Sequence, residues 1–236
     1  MAWLNKRLLI NGKATPLASD FVRLKLNEVG EGFFEVLEQP RSEGRALVEF
    51  YAGVNGKEEY LVFTGALREV KQMGEGRFRV TARELCMVLD LNIIINMGRC
   101  NAREVIAKIE RETGLKFLLP KGAYYLDENR LQFTHYGTAA DAIKAITDKW
   151  DLKEMVWFQL PDGRMYWGHW TQGPYTRAPL PIEAKLMSEM NDKSRTLMLP
   201  YIPALRPGML VESDFRFRID GLVFTGEKLK VNWTKV

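Results

Sequence analysis

The chain has 236 residues, 46% hydrophobic and 27% charged, with 34 Lys and Arg against 30 Asp and Glu for a net charge of +4. That length supports one large core or two to three small ones, and the composition is ordinary for a globular protein. Basic and acidic residues are interleaved, so the basic stripe of a nucleic-acid binder is missing.

The cysteines are Cys86 and Cys100, too few for a disulfide framework and in keeping with folding in a reducing cytosol. Cys86 lies in an apolar run and reads as a small hydrophobe. The opening MAWLNKRLLINGK has neither a long apolar core nor a small-residue cleavage pattern, so it does not read as a signal peptide. No stretch approaches the ~18 apolar residues of a membrane-spanning helix, and no membrane association is expected.

Residues 4–80 read as strands. Leu8–Ile10 leads to the tight-turn pair Asn11-Gly12. Phe21–Asn27 alternates with period two, and further strands are expected at Phe33–Leu37, Ala46–Tyr51, Tyr60–Phe63, Ala66–Val70 and Arg77–Val80. Gly30-Glu-Gly32, Arg41-Ser-Glu-Gly44, Gly53-Val-Asn-Gly56 and Gly74-Glu-Gly76 read as the separating turns. Short strands at this spacing point to a closed or nearly closed antiparallel barrel, or to a sandwich.

Period two stops near residue 80. Thr81-Ala-Arg-Glu84, Asn101-Ala-Arg-Glu104 and Thr138-Ala-Ala-Asp141 each have the pattern of a helix N-cap. The second opens a helix whose apolar face holds Val105, Ile106 and Ile109, and the third opens one holding Ala142, Ile143 and Ile146. Leu91–Met97 reads as a strand or a crossover, Leu115–Leu119 as a strand, and Tyr124–Leu126 with Arg130–Thr134 as a hairpin. A second hairpin is expected from Met155–Gln159 and Arg164–Gly168 around Pro161-Asp-Gly163. A Gly/Pro-rich connector, 172–181, leads to the final strands at Leu197–Leu199, Met209–Val211, Phe215–Ile219, Leu222–Phe224 and Leu229–Trp233.

One pentapeptide occurs twice, Leu61-Val-Phe-Thr-Gly65 and Leu222-Val-Phe-Thr-Gly226. Each copy reads as an apolar strand, a Thr-Gly break, and an alternating strand. The repeat suggests two β-rich modules around something else.

Catalytic patterns are sparse. His135 and His169 are the histidines, with no HxxH or HExxH spacing and no cysteine pair at zinc spacing. Ser19, Ser42, Ser188, Ser194 and Ser213 all lie outside GxSxG, and no phosphate loop occurs. Glu183, Glu189 and Asp192 are the carboxylates to inspect for a paired acid and base, against the simpler reading of a solvated face. Trp157, Phe158, Tyr166, Trp167, Trp170 and Tyr175, with Arg164 and Arg177, form either an interaction surface or the core of a small sheet. No catalytic, cofactor-binding or metal-binding residue is assigned.

The segments LVFTGALREVKQ, VTARELCMVLD, NAREVIAKIERETGLKF, GTAADAIKAI, WFQLPDGRMYWG and LMLPYIPALRPGMLVESDFRFRIDGLVF, in this order, resemble the baseplate hub proteins of contractile phage tails. That family includes the late-control tail protein and the Mu-like prophage tail protein, and is related to type VI secretion spike barrels. The resemblance implies an α+β fold in which two small antiparallel β-barrel-like modules flank a central α+β segment with two main helices. The expected divisions are an N-terminal barrel at 1–80, an α+β domain at 81–180, and a C-terminal module at 181–236 completed by strands from elsewhere. It further implies a non-enzymatic homotrimer, a pseudo-sixfold ring joining the sixfold tail tube to the threefold central spike. DNA would pass through its channel as cargo. The protein would be assembled in the bacterial cytoplasm and reside in the virion baseplate. The alternative is a peptidoglycan-cleaving or carbohydrate-binding tail-associated protein.

Overall fold

Alternating burial carries the first third of the chain. In the computed structural model, which describes residues 3–40 and 46–236, it gives strands β1 (Leu4–Ile10), β2 (Lys13–Thr15), β3 (Leu17–Lys25) and β4 (Glu31–Val36). Strands β5 (Leu47–Val54), β6 (Tyr60–Gly74) and β7 (Arg77–Glu84) follow. The expected separator Arg41-Ser-Glu-Gly44 lies outside the described residues, as does Ser42. The middle holds β8 (Asn92–Met97), α1 (Ala102–Thr113), β9 (Phe117–Leu118), β10 (Phe133–Thr138), α2 (Ala139–Lys149), β11 (Met155–Gln159) and β12 (Met165–His169). The last stretch holds β13 (Leu180–Pro181), β14 (Ser188–Asn191), β15 (Thr196–Pro200), β16 (Leu210–Glu212), β17 (Arg216–Thr225) and β18 (Lys228–Lys235). Packing divides the chain into two compact units. One comprises residues up to Leu85 together with Tyr175–Val236, and the other is Cys86–Pro174.

The first unit corrects the expectation of two barrel-like modules. Among the described residues, strands from both ends of the chain join one 13-stranded sheet. Its path is β14-β15-β18-β17-β3-β4-β7-β6-β5-β1-β2, with β16 attached to β17 and β13 to β16. This path is open, and no pairing among the described residues returns it upon itself. The joining strand is β17, whose Gly221–Thr225 pair antiparallel with Phe21–Lys25 of β3 while its other edge pairs β18. The outer edge of β3 is thus used by the C-terminal strands and not by β1. Pro16, between β2 and β3, has no N–H to offer a ladder, and the chain leaves β1 there. One apolar cluster among the described residues joins strands from both ends of the chain: Val22, Phe34, Phe50 and Val80 share it with Leu197, Phe217, Phe224 and Val231. The Phe34–Phe50 and Tyr201–Phe224 ring centroids are each 5.2 Å apart. Each such side chain fully removed from water contributes about 1.5–3 kcal/mol.

The two pentapeptide copies differ in structure. In the second, β17 ends at Thr225 and Gly226 turns with φ 55°. In the first, β6 runs straight through Thr64 and Gly65, both buried, to Gly74. The Thr-Gly break expected there is absent because Gly65 lies against β7. A Cβ on it would stand 2.3 Å from the Arg83 carbonyl oxygen. Likewise Gly32, read as part of a turn, lies within β4.

The second unit is α+β. Asn101 and Glu104 form a reciprocal capping box at α1: the Asn101 side chain accepts from Glu104 N at 2.9 Å, and Asn101 N donates back to Glu104 Oε2 at 2.9 Å. Thr138 caps α2, its hydroxyl accepting from Asp141 N at 3.1 Å. Strands β8 and β10 form a two-stranded ribbon. The β11–β12 hairpin forms around Pro161-Asp-Gly163, and β9 joins it in parallel. Two expectations differ from the structure. Thr81–Glu84 belongs to β7, followed by only a 3₁₀ stretch at Leu85–Asp90. Tyr124–Leu126 is a 3₁₀ turn, and β10 pairs β8 instead of it.

Candidate functional site

The structure gives the two histidines different local partners. On β10, half-buried His135 has Nε2 2.9 Å from the Thr138 carbonyl. His169 stacks on Trp170, with Nδ1 2.8 Å from Thr171 Oγ1 and Nε2 3.3 Å from Glu154. Cys86 and Cys100 are buried and lie outside any disulfide among the described residues, and burial raises the Cys100 pKa, which disfavours the thiolate a nucleophile needs. Glu183, Glu189 and Asp192 are exposed, and Glu183 pairs with Lys185 at 2.5 Å. Among the described residues no group of three or more His, Cys, Asp or Glu is arranged to hold a metal ion. No described helix is long and apolar enough to cross a membrane.

Half of the aromatic cluster is sheet core. Tyr166 and Trp167 are each 1% exposed and Phe158 is 4% exposed. Alternation and a continuous apolar run placed them on strands without saying which face was covered. Trp157, Trp170 and Tyr175 are half-buried, while Arg164 is exposed and held by Asp162.

Two other surfaces stand out. The first is an open recess of about 1320 Å³ in the first unit. Its walls come from the start of β1 with Trp3, from Leu17–Phe21 of β3, from Phe33–Glu35 of β4, from Arg79, and from the β17–β18 turn at Thr225–Glu227. Lys6 spans it, donating to Asp20 Oδ1 at 2.6 Å and to the Gly226 carbonyl, with Nζ 4.7 Å from the centroid of the Tyr201 ring. Burial raises the Asp20 pKa, opposed by the hydrogen bond from Lys6. Among the described residues, Asp20 Oδ2 and the Tyr201 hydroxyl oxygen are buried without a hydrogen-bond partner. The recess offers a carboxylate held by an ammonium, flanked by aromatic rings; its lining includes Ser19 but neither histidine nor thiol. That chemistry suits holding a chain better than cleaving a bond.

The second surface is the β8–β10 ribbon. Ile93, Ile95 and Phe133 are buried on one face, while on the other Ile94 and Tyr136 are cross-strand neighbours at 67% and 70% exposure. Leu131, at 88%, precedes β10. Large apolar side chains grouped in this way mark contact surfaces. The sequence Leu-Asn-Ile-Ile-Ile-Asn-Met does not distinguish its exposed isoleucine from its buried ones.

Several solved structures superpose on nearly the whole chain. The 43 kDa tail protein of prophage MuSo2 from Shewanella oneidensis matches with a TM-score of 0.71 at 10% identity, over 98% of this chain and 97% of that one. The tail protein of Neisseria meningitidis MC58 matches with a TM-score of 0.68 at 11% identity, over 98% and 96%. The chain shares its fold with these two tail proteins. An Escherichia coli component of the type VI secretion system, described as structurally similar to T4 tail proteins gp27 and gp5, gives a TM-score of 0.67 at 12% identity. That match covers 98% of this chain and 77% of the other. No family model matches the sequence. An uncharacterized 58.7 kDa protein of Haemophilus phage HP1 is 23% identical over 209 residues, and the matched region covers 89% of this chain but 38% of that relative.

Proposed function

We propose that this chain is a structural component of a phage tail, acting in the baseplate as a hub subunit. The observation that carries the reading is fold similarity over essentially the full chain to tail proteins from two bacterial genomes. The finer reading is a homotrimeric ring that joins the sixfold tail tube to the threefold central spike and leaves a passage for DNA. Support for an assembly role comes from the exposed Ile94–Tyr136 face and the open sheet path, which leave apolar surface and strand edges for neighbouring subunits. The hydrolase alternative has less support, because Glu183, Glu189 and Asp192 are exposed and Glu183 is engaged by Lys185.

Cryo-electron microscopy of the tail particle, with the subunit tagged at an exposed loop, tests this reading. The expected result is three copies at the junction of tube and spike. Location elsewhere in the particle removes the hub assignment, and absence from the particle removes the tail assignment.

A further inference from the structure

Among the described residues, two strand edges facing the recess lack ladders. Strand β1 pairs β5 over Leu4–Ile10, but on its other side β2 reaches only Leu8–Ile10, so Leu4–Arg7 have one edge unpaired. Strand β3 pairs β4 from Leu17 onward, but β17 covers only Phe21–Lys25, so the residues before Phe21 also keep an open edge. The divergence starts at Pro16, where the chain leaves β1. Lys6 and Asp20 meet across the resulting gap at 2.6 Å. Unpaired main-chain groups along a strand edge are a template for another strand.

The charge of the lining narrows the choice of occupant. Lys6 is engaged by Asp20, and Arg79 by Glu35 at 3.6 Å. Glu227, exposed in the β17–β18 turn, has no ion pair among the described residues, and Asp20 Oδ2 has no hydrogen-bond partner. The unbalanced charge is negative. Leu4, Leu17 and Phe33 supply apolar wall beside it.

We infer that the recess receives an extended segment of another polypeptide, laid along the open edge of Leu4–Arg7 in the place β2 vacates at Pro16. The main chain of this segment bonds to β1, an apolar side chain rests among Leu4, Leu17 and Phe33, and a basic residue faces Glu227 and Asp20. This site is independent of the tail reading, since a recess that binds no such segment leaves an assembly role intact.

The test is a library of alternating polar and apolar peptides of about six residues, the usual strand length, each carrying one Arg, one Glu or neither, screened against the purified chain. Arg-bearing peptides are expected to bind, and hydrogen exchange is expected to slow at the amides of Leu4–Arg7. Glu227→Lys, a change in an exposed turn, is expected to weaken those peptides about fivefold, the upper range for a solvent-exposed ion pair. The inference is overturned by an absence of binders, by equal binding of Glu-bearing peptides, or by slowed exchange mapping to Ser188–Asn191 instead.

Discussion

Lys6 Nζ and Asp20 Oδ1 meet at 2.6 Å although their strands, β1 and β3, share no ladder. Burial is the larger influence on Asp20 and raises its pKa above 3.8, while the Lys6 hydrogen bond opposes the shift. An acid with a raised folded-state pKa binds its proton more tightly when folded. Its stabilising contribution is complete below the unfolded value and is lost as pH rises through the folded one. The stability of the natural chain relative to Asp20→Asn is therefore expected to fall as pH rises from below 3.8 toward neutrality. Urea denaturation of both proteins across that range measures the difference, and a difference that grows with pH contradicts this account.

Arg206, 7% exposed, donates to the carbonyls of Pro203 at 2.8 Å and Leu205 at 2.6 Å, and also to that of Leu61 on β6. Arg206→Met leaves those acceptors without their donors, at about 1–3 kcal/mol for each buried group, offset by no longer burying a charge. A net loss of about 3 kcal/mol is expected from chemical denaturation. Arg206→Lys should recover less than half of it, because an ammonium lacks the planar fork that reaches several carbonyls.

The pentapeptide copies separate by substitution. Gly65→Ala places a methyl 2.3 Å from the Arg83 carbonyl, and a loss of about 3 kcal/mol is expected, the upper range for overpacking. Gly226→Ala meets nothing within 4 Å but keeps a φ of 55°, so about 1 kcal/mol is expected. Equal losses would mean that the copies occupy equivalent positions.

Asn101→Ala removes one half of the reciprocal cap of α1. The expected cost is about 1 kcal/mol, measured as a lower denaturation midpoint of the isolated chain.

Ile94→Lys and Tyr136→Lys alter the exposed face of the β8–β10 ribbon. Each should change the stability of the purified chain by no more than about 0.5 kcal/mol. Under the proposed role, incorporation into tail particles should drop severely. Normal incorporation would remove this face from the assembly contacts.

The two near-identical cap patterns show what was legible in the sequence. Asn101-Ala-Arg-Glu104 is a cap because an amphipathic stretch with buried Val105, Ile106 and Ile109 follows it. Thr81-Ala-Arg-Glu84 carries the same last three letters, yet Val80 and Ala82 are buried in alternation and Glu84 accepts from the Gly30 amide at 2.7 Å. The local pattern was ambiguous and a partner 54 positions away decided it. Most of the longer strands, both helices and the β11–β12 hairpin follow from spacing of two or 3.6, which local sequence records, whereas the short β2, β13 and β14 carry no such spacing and were not expected. The closed modules expected from the strand count fail because the β3–β17 pairing is long-range. The recess was hidden for the same reason, since its walls come from β1, β3, β4 and the β17–β18 turn.

The β3–β17 pairing also sets a timetable. Phe21–Lys25 find their partners in residues roughly 200 positions later, which a ribosome working at about 5–20 residues per second reaches some 10–40 s afterwards. In that interval the contiguous Cys86–Pro174 unit emerges whole, while the outer edge of β3 waits for the strand that will cover it. Neighbouring nascent chains on one message carry the same waiting edge, so the risk of wrong pairing between copies is highest before synthesis ends.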